Sequence, residues 1–123
     1  MARWIKLAMP VFQRLKGLTH DFEVAVNPNN LAALLQARGE RDEAEALYRQ
    51  ALSIKENLFG RNHLEVAWTC NNLAMLFREQ GRHIQALSLC RRALHTFKKC
   101  FRPSHPTRRQ CAENYALLQR ETA

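Results

Sequence analysis

Little in this chain suits catalysis. Glycine occurs only four times in 123 residues, always singly, so no Gly-rich loop is present to cradle a phosphate. No Ser/His/Asp arrangement and no paired-carboxylate motif appears, and nothing asks for a cofactor. The four cysteines, Cys70, Cys90, Cys100 and Cys111, form no C-x-x-C pair and follow no regular spacing. That argues against a disulfide scaffold and against a structural metal, and leaves free, buried thiols in a reducing compartment as the expectation. No run approaches the roughly 20 apolar residues that a membrane span requires, and Arg3, Lys6 and Pro10 interrupt the first dozen residues where a signal-peptide core would lie. Acid is missing before Asp21, while Arg3, Lys6, Arg14 and Lys16 precede it. This weakly resembles an organelle transit segment but lacks its serines, so a cytoplasmic location is expected.

Acid is scarce again at the other end. Residues 1–81 carry ten Lys/Arg against nine Asp/Glu, whereas residues 82–123 carry nine against two. Most of the net charge of +8 therefore belongs to the last third of the chain. Arg91, Arg92, Lys98, Lys99, Arg102, Arg108 and Arg109 form a candidate basic patch for an anionic surface. Nucleic acid is disfavoured as its partner, because no aromatic residues for base stacking are interleaved with these charges. The plainer reading is a solvated helix face whose basic residues gather near a helix C-terminus.

The chain does have a period, of 42 residues. Asn30-Leu31-Ala32 recurs as Asn72-Leu73-Ala74 and, degraded, as Asn114-Tyr115-Ala116. Gly39 recurs as Gly81, Ala44 as Ala86, Ala51-Leu52 as Ala93-Leu94, and His63 as His105. A constant period of this size marks stacked supersecondary units that bury their apolar faces against neighbours. It moves the functional expectation from catalysis to binding.

Each unit reads as a helix pair. In the first, residues 29–38 carry Leu31, Leu34 and Leu35 at helical spacing, with Pro28 in the first turn and Gly39 as a left-handed stop. Asp42 is the expected N-cap of a second helix reaching about Leu58, with Ala44, Leu47, Tyr48, Ala51, Leu52 and Ile54 on its apolar stripe. The second pair spans residues 64–80 and 82–101, with Val66, Ala67, Cys70, Leu73, Ala74 and Phe77 facing Ile84, Ala86, Leu87, Cys90, Ala93, Leu94 and Phe97. A last helix over residues 107–120, carrying Ala112, Tyr115, Ala116 and Leu118, has no partner and reads as a cap. Small residues such as Ala32, Ala74, Ala86 and Ala93 let paired helices approach closely. The predicted fold is all-α, a short right-handed α-solenoid of antiparallel helix pairs. Residues 1–23 read as a degenerate partial repeat. Residues 24–123 form the repeat domain, with units 24–63 and 64–105 and a capping helix at 106–120. So short an array reads as the end, or the divergent offspring, of a longer repeat protein.

The series Leu73, Ala74, Phe77, Gly81, Ala86, Cys90, Ala93, with its counterpart Leu31, Ala32, Leu35, Gly39, Ala44, Tyr48, Ala51, resembles the tetratricopeptide repeat. The longer unit, with its N-N-L-A and R-A-L segments and a loop ending in His, is similar to the kinesin light-chain type of that family. Cys90 and Leu35 stand where aromatics are usual, and the third unit keeps only its first helix. The resemblance implies a non-catalytic module that binds a peptide segment of a protein partner in a groove lined by first helices. Asn30, Asn72 and Asn114 would hydrogen-bond the peptide, with Gln36, Trp68, Asn71, Met75 and Arg78 around them; Trp68 and Met75 would grip side chains and Arg78 would attract acidic groups. The competing role for the asparagines is to fix helix packing, and for Trp68 it is to pack on Phe22 or Val26. His63 and His105 stand at matching loop-to-helix boundaries, where a helix-start role fits better than metal binding.

Overall fold

A computed structural model describes residues 28–123; Phe22, Val26 and the segment 1–23 lie outside the described residues. Five helices and no strand occupy the described chain: α1 (Pro28–Ala37), α2 (Arg41–Phe59), α3 (Leu64–Glu79), α4 (His83–Cys100) and α5 (Pro106–Thr122). The fold is all-α, as the 3.6-residue periodicity predicts.

The α1–α2 and α3–α4 turns are the same device, repeated. Gly39 and Gly81 adopt φ of 82° and 78°, the left-handed region in which a side chain is strained. In the first turn Gly39 N–H bonds Gln36 O at 3.0 Å and Glu40 N–H bonds Leu35 O at 2.9 Å. In the second, Gly81 N–H bonds Arg78 O at 3.0 Å and Arg82 N–H bonds Phe77 O at 2.8 Å. These two bonds define a Schellman cap, which satisfies carbonyls that the ending helix leaves orphaned. The cap also corrects one expectation. α2 begins at Arg41, and Ala44 N–H bonds the Glu40 carbonyl. Asp42 therefore lies inside the first turn, favoured there by the helix dipole, and the capping position belongs to Glu40.

Packing divides the chain into two compact units, Met1–Ile54 and Lys55–Ala123. In the described part of the first unit, Leu31, Ala32, Leu35, Ala44, Leu47, Tyr48 and Ala51 are buried. The Tyr48 hydroxyl donates to Gln36 Oε1 at 3.0 Å and ties α2 to α1. The packing boundary falls within α2, ahead of the repeat boundary at 63/64. The last turns of α2 bond within the second unit: Lys55 Nζ reaches Glu65 at 3.2 Å, and Glu56 accepts from Arg92 at 2.7 Å.

In the second unit α3, α4 and α5 run alternately up and down. Trp68, early in α3, packs against Phe97, late in α4. Cys90 meets Cys111 midway along α4 and α5, and His83 at the start of α4 lies beside Glu121 at the end of α5. The core comprises Val66, Ala67, Cys70, Leu73, Ala74, Leu76 and Phe77 of α3, Ala86, Cys90, Ala93, Leu94 and Phe97 of α4, and Cys111 and Leu118 of α5. Thr69 and Thr96 join it; the Thr69 hydroxyl is satisfied by the Glu65 carbonyl. Two expectations fail here. Ile84 is 78% exposed, because it borders an open cavity between the α3–α4 turn and the end of α5. Cys100 is exposed, in the last turn of α4, whereas the other three cysteines are free and buried as expected.

Candidate functional site

The helix starts are built by histidine. His63 Nδ1 accepts from Glu65 N–H and His105 Nδ1 from Thr107 N–H, each at 3.1 Å. Each ring also stacks on the phenylalanine four residues earlier: Phe59–His63 at 4.5 Å and Phe101–His105 at 3.8 Å between centroids. The helix-start role read from the sequence is what these residues do. The stacking partner was missed, although Phe59 and Phe101 stand one 42-residue period apart. Phe97 continues the stack at 5.9 Å from Phe101, and Trp68 follows at 6.4 Å from Phe97.

This ladder positions Trp68. The indole is tilted by 54° against Phe97 and remains 36% exposed, so its placement rests on α4. Asn71, Asn72 and Met75 follow Trp68 at the i+3, i+4 and i+7 spacings of one helix face and are all half-buried. Asn71 Oδ1 is shut off from solvent and accepts no hydrogen bond, a costly state for a carbonyl oxygen. Asn72 sits beside it, its side chain still in reach of solvent.

Arg78, one turn further on, is engaged. Its Nε and Nη2 donate to the two carboxylate oxygens of Glu121 at 2.9 and 3.1 Å. This fork joins the C-terminal ends of α3 and α5, and an acidic partner would have to compete with Glu121 for it. The Arg78 guanidinium, with smaller help from His83 and Arg120, holds the Glu121 carboxyl below its ordinary range. On α5, Asn114 Oδ1 accepts from Gln110 Nε2 at 3.2 Å. In the first unit Asn30 is exposed on α1, while Gln36 is held by Tyr48.

The basic set divides into residues paired within the fold and residues left exposed. Arg92 is largely buried and paired with Glu56, and its Nη2 also reaches the Arg61 carbonyl at 3.3 Å. Arg108 donates to the Phe101 carbonyl at 2.9 Å and to that of Lys98 at 3.5 Å, capping the end of α4. Arg91 is anchored by the Tyr115 hydroxyl at 3.2 Å. Lys98, Lys99, Arg102 and Arg109 are exposed. Lys98 and Lys99 occupy the last turn of α4, where the dipole favours them.

Among the described residues no group of three His, Cys, Asp or Glu is placed to hold a metal, and no helix is long and apolar enough to cross a membrane. Of the three buried thiols, Cys70 and Cys111 are held in the neutral form, while the hydrogen bond with Cys111 lowers Cys90 against the effect of burial. Burial pushes the Cys70 thiol up to about 11, against a weaker opposing effect of Arg92. Its hydrogen bond with Cys90, and then burial, hold the Cys111 thiol well above the ordinary range.

A helix pair closed by a glycine turn, repeated in register with small residues at the close approaches, identifies the fold family. The chain belongs to the tetratricopeptide repeat family. Its match to that family runs over residues 23–99, which includes α1 to α3 and nearly all of α4. A search of curated proteins finds no match to the chain. Tetratricopeptide repeats are in general protein–protein interaction modules, and a partner surface is the first function to seek on these helices.

Proposed function

We propose that the exposed face of α3 receives a peptide segment of a protein partner. The observation that carries this reading is an indole, that of Trp68, which is 36% exposed and braced from behind by Phe97, followed on the same helix face by the half-buried Asn71, Asn72 and Met75. Asn72 supplies both a donor and an acceptor to the peptide backbone. Trp68 and Met75 give the apolar contact, with little ordering entropy lost on the braced indole. Asn114 on α5 extends the polar lining, and Arg78 with Glu121 sets its charge. Asn30 does the corresponding work on α1, the first helix of the first unit. The 42-residue unit, of kinesin light-chain type, fits a non-catalytic adaptor.

The test is quantitative capture of partners from lysate by wild type and by a Trp68→Ala/Asn72→Ala variant with an unchanged helical circular dichroism spectrum. Specific partners are expected to be lost by the variant. Equal retention of every partner by the folded variant overturns the reading.

A further inference from the structure

The second unit carries a cavity of about 430 Å³ between the α2–α3 loop and α4. Its walls are Arg61 and Asn62 from the α2–α3 loop and Ser88, Leu89, Arg91, Arg92 and His95 from α4. Every polar side chain in this set can donate a hydrogen bond, and no carboxylate lines the cavity. From the geometry we infer that this cavity is a binding site for a phosphate group, either inorganic phosphate or a phosphate monoester.

Two of the guanidinium groups, those of Arg91 and Arg92, are held in place before any ligand arrives. Arg92 Nη2 is fixed by Glu56 at 2.7 Å and by the Arg61 carbonyl at 3.3 Å, while its Nε is buried with no acceptor. Arg91 Nε is fixed by the Tyr115 hydroxyl, a neutral partner that leaves its charge uncompensated. Arg61 touches Glu56 only loosely, at 3.7 Å. Glu56 thus offsets one of three positive charges, and the two that remain match a doubly charged tetrahedral oxyanion better than a single carboxylate. Ser88, Asn62 and His95 add neutral donors around it.

The 42-residue period shows that this set is peculiar to the second unit. Arg91 corresponds to Arg49, which is paired with Glu45 at 2.9 Å. The position of Glu45 is taken by Leu87 in the second unit, which removes that carboxylate. Gln50 is replaced by Arg92, Ala46 by Ser88 and Ser53 by His95. The first three changes take away negative charge or add a donor, the fourth exchanges a short hydroxyl donor for a longer imidazole, and Ser88, Arg92 and His95 line the cavity. The site lies on α4 and the α2–α3 loop and does not depend on the peptide face of α3.

The experiment titrates the whole chain with inorganic phosphate, and in parallel with a capped phosphoserine peptide and its serine form. Ionic strength is held constant and arginine side-chain resonances are followed by NMR. Saturable binding is expected. In Arg61→Gln/Arg91→Gln, which spares the Arg92–Glu56 pair, affinity should fall at least about tenfold. A Lys98→Gln/Lys99→Gln variant, which removes equal charge elsewhere, should bind as wild type does. Tighter binding of the phosphopeptide than of free phosphate assigns the site to a phosphorylated protein segment, and the reverse assigns it to the free anion. No saturable binding in either arm, or equal weakening by the lysine variant, overturns the inference.

Discussion

At His105 one imidazole does two jobs. Its Nδ1 caps α5 through Thr107 N–H, and its face stacks on Phe101 at 3.8 Å. A capping side chain is worth about 1 kcal/mol and an aromatic stack about 0.5–1.5 kcal/mol. His105→Ala is therefore expected to lower stability by about 2 kcal/mol in urea unfolding. His105→Asn, which keeps the cap and loses the stack, should recover about half. Equal losses in the two variants would show that the ring contact alone matters. The cysteines divide by exposure. Cys100 should react rapidly with a thiol reagent, while Cys70, Cys90 and Cys111 should react only on unfolding. Burial favours the neutral Cys70 thiol, raising it from 9.0 to about 11. Its contribution is then complete below the ordinary thiol value and is lost as pH rises through the folded one. The urea midpoint should fall between about pH 8 and pH 11, and fall less in Cys70→Ala; parallel curves would refute this. Both histidine positions were legible because the helix boundary repeats with them. Phe59 and Phe101 obeyed the same period and went unread, since apolar residues near a loop signal nothing until a ring is seen beside them.

At the scale of elements, the two glycine turns set each helix pair. A Cβ placed on Gly81 meets nothing within 4 Å, so Gly81→Ala exposes the backbone term alone. A non-Gly residue at φ near 78° costs about 1–2 kcal/mol. Gly81→Asn should lose less, because asparagine tolerates this region better. The comparison is made by thermal or urea unfolding, and a neutral Gly81→Ala would show that the turn relaxes. These turns were readable because glycine is rare here and falls at one spacing. The pairing of Arg78 was not. Its partner Glu121 lies 43 residues away on another helix, and charge alone made Arg78 look free for a ligand. Ile84 misled in the opposite way, since apolar character at helical spacing cannot reveal that no neighbour covers it. Part of the basic set is paired within the fold, because guanidinium groups reach far. Arg92 and Arg108 turn back to Glu56 and to the Phe101 carbonyl, contacts that no linear spacing displays.

On the scale of the molecule, the period tells which elements exist, while the irregular contacts decide which of them hold together. α5 shows this best. No partner helix follows it in the described chain, yet it is joined to α4 by reciprocal sulfur contacts: Cys90 Sγ to the Cys111 carbonyl at 3.6 Å and Cys111 Sγ to the Cys90 carbonyl at 3.8 Å. It is joined to α3 by the Arg78–Glu121 fork, and it buries Leu118 completely. Repeat arrays derive stability from such nearest-neighbour contacts, and a terminal helix shields apolar surface that its neighbour cannot. Leu118→Ala should therefore cost about 2–5 kcal/mol, the range for truncating a buried leucine. Glu121→Gln should cost little at neutral pH but abolish any acid sensitivity of the α5 end, because Arg78 stabilises the ionised carboxyl and that contribution is lost as pH falls through its lowered range. Hydrogen exchange separates the two effects. If α5 is a cap integral to the second unit, Leu118→Ala accelerates exchange in α4 as well as α5, since Cys90 and its neighbours lose their cover. If faster exchange is confined to α5, that helix opens independently and α4 is stabilised through α3 alone.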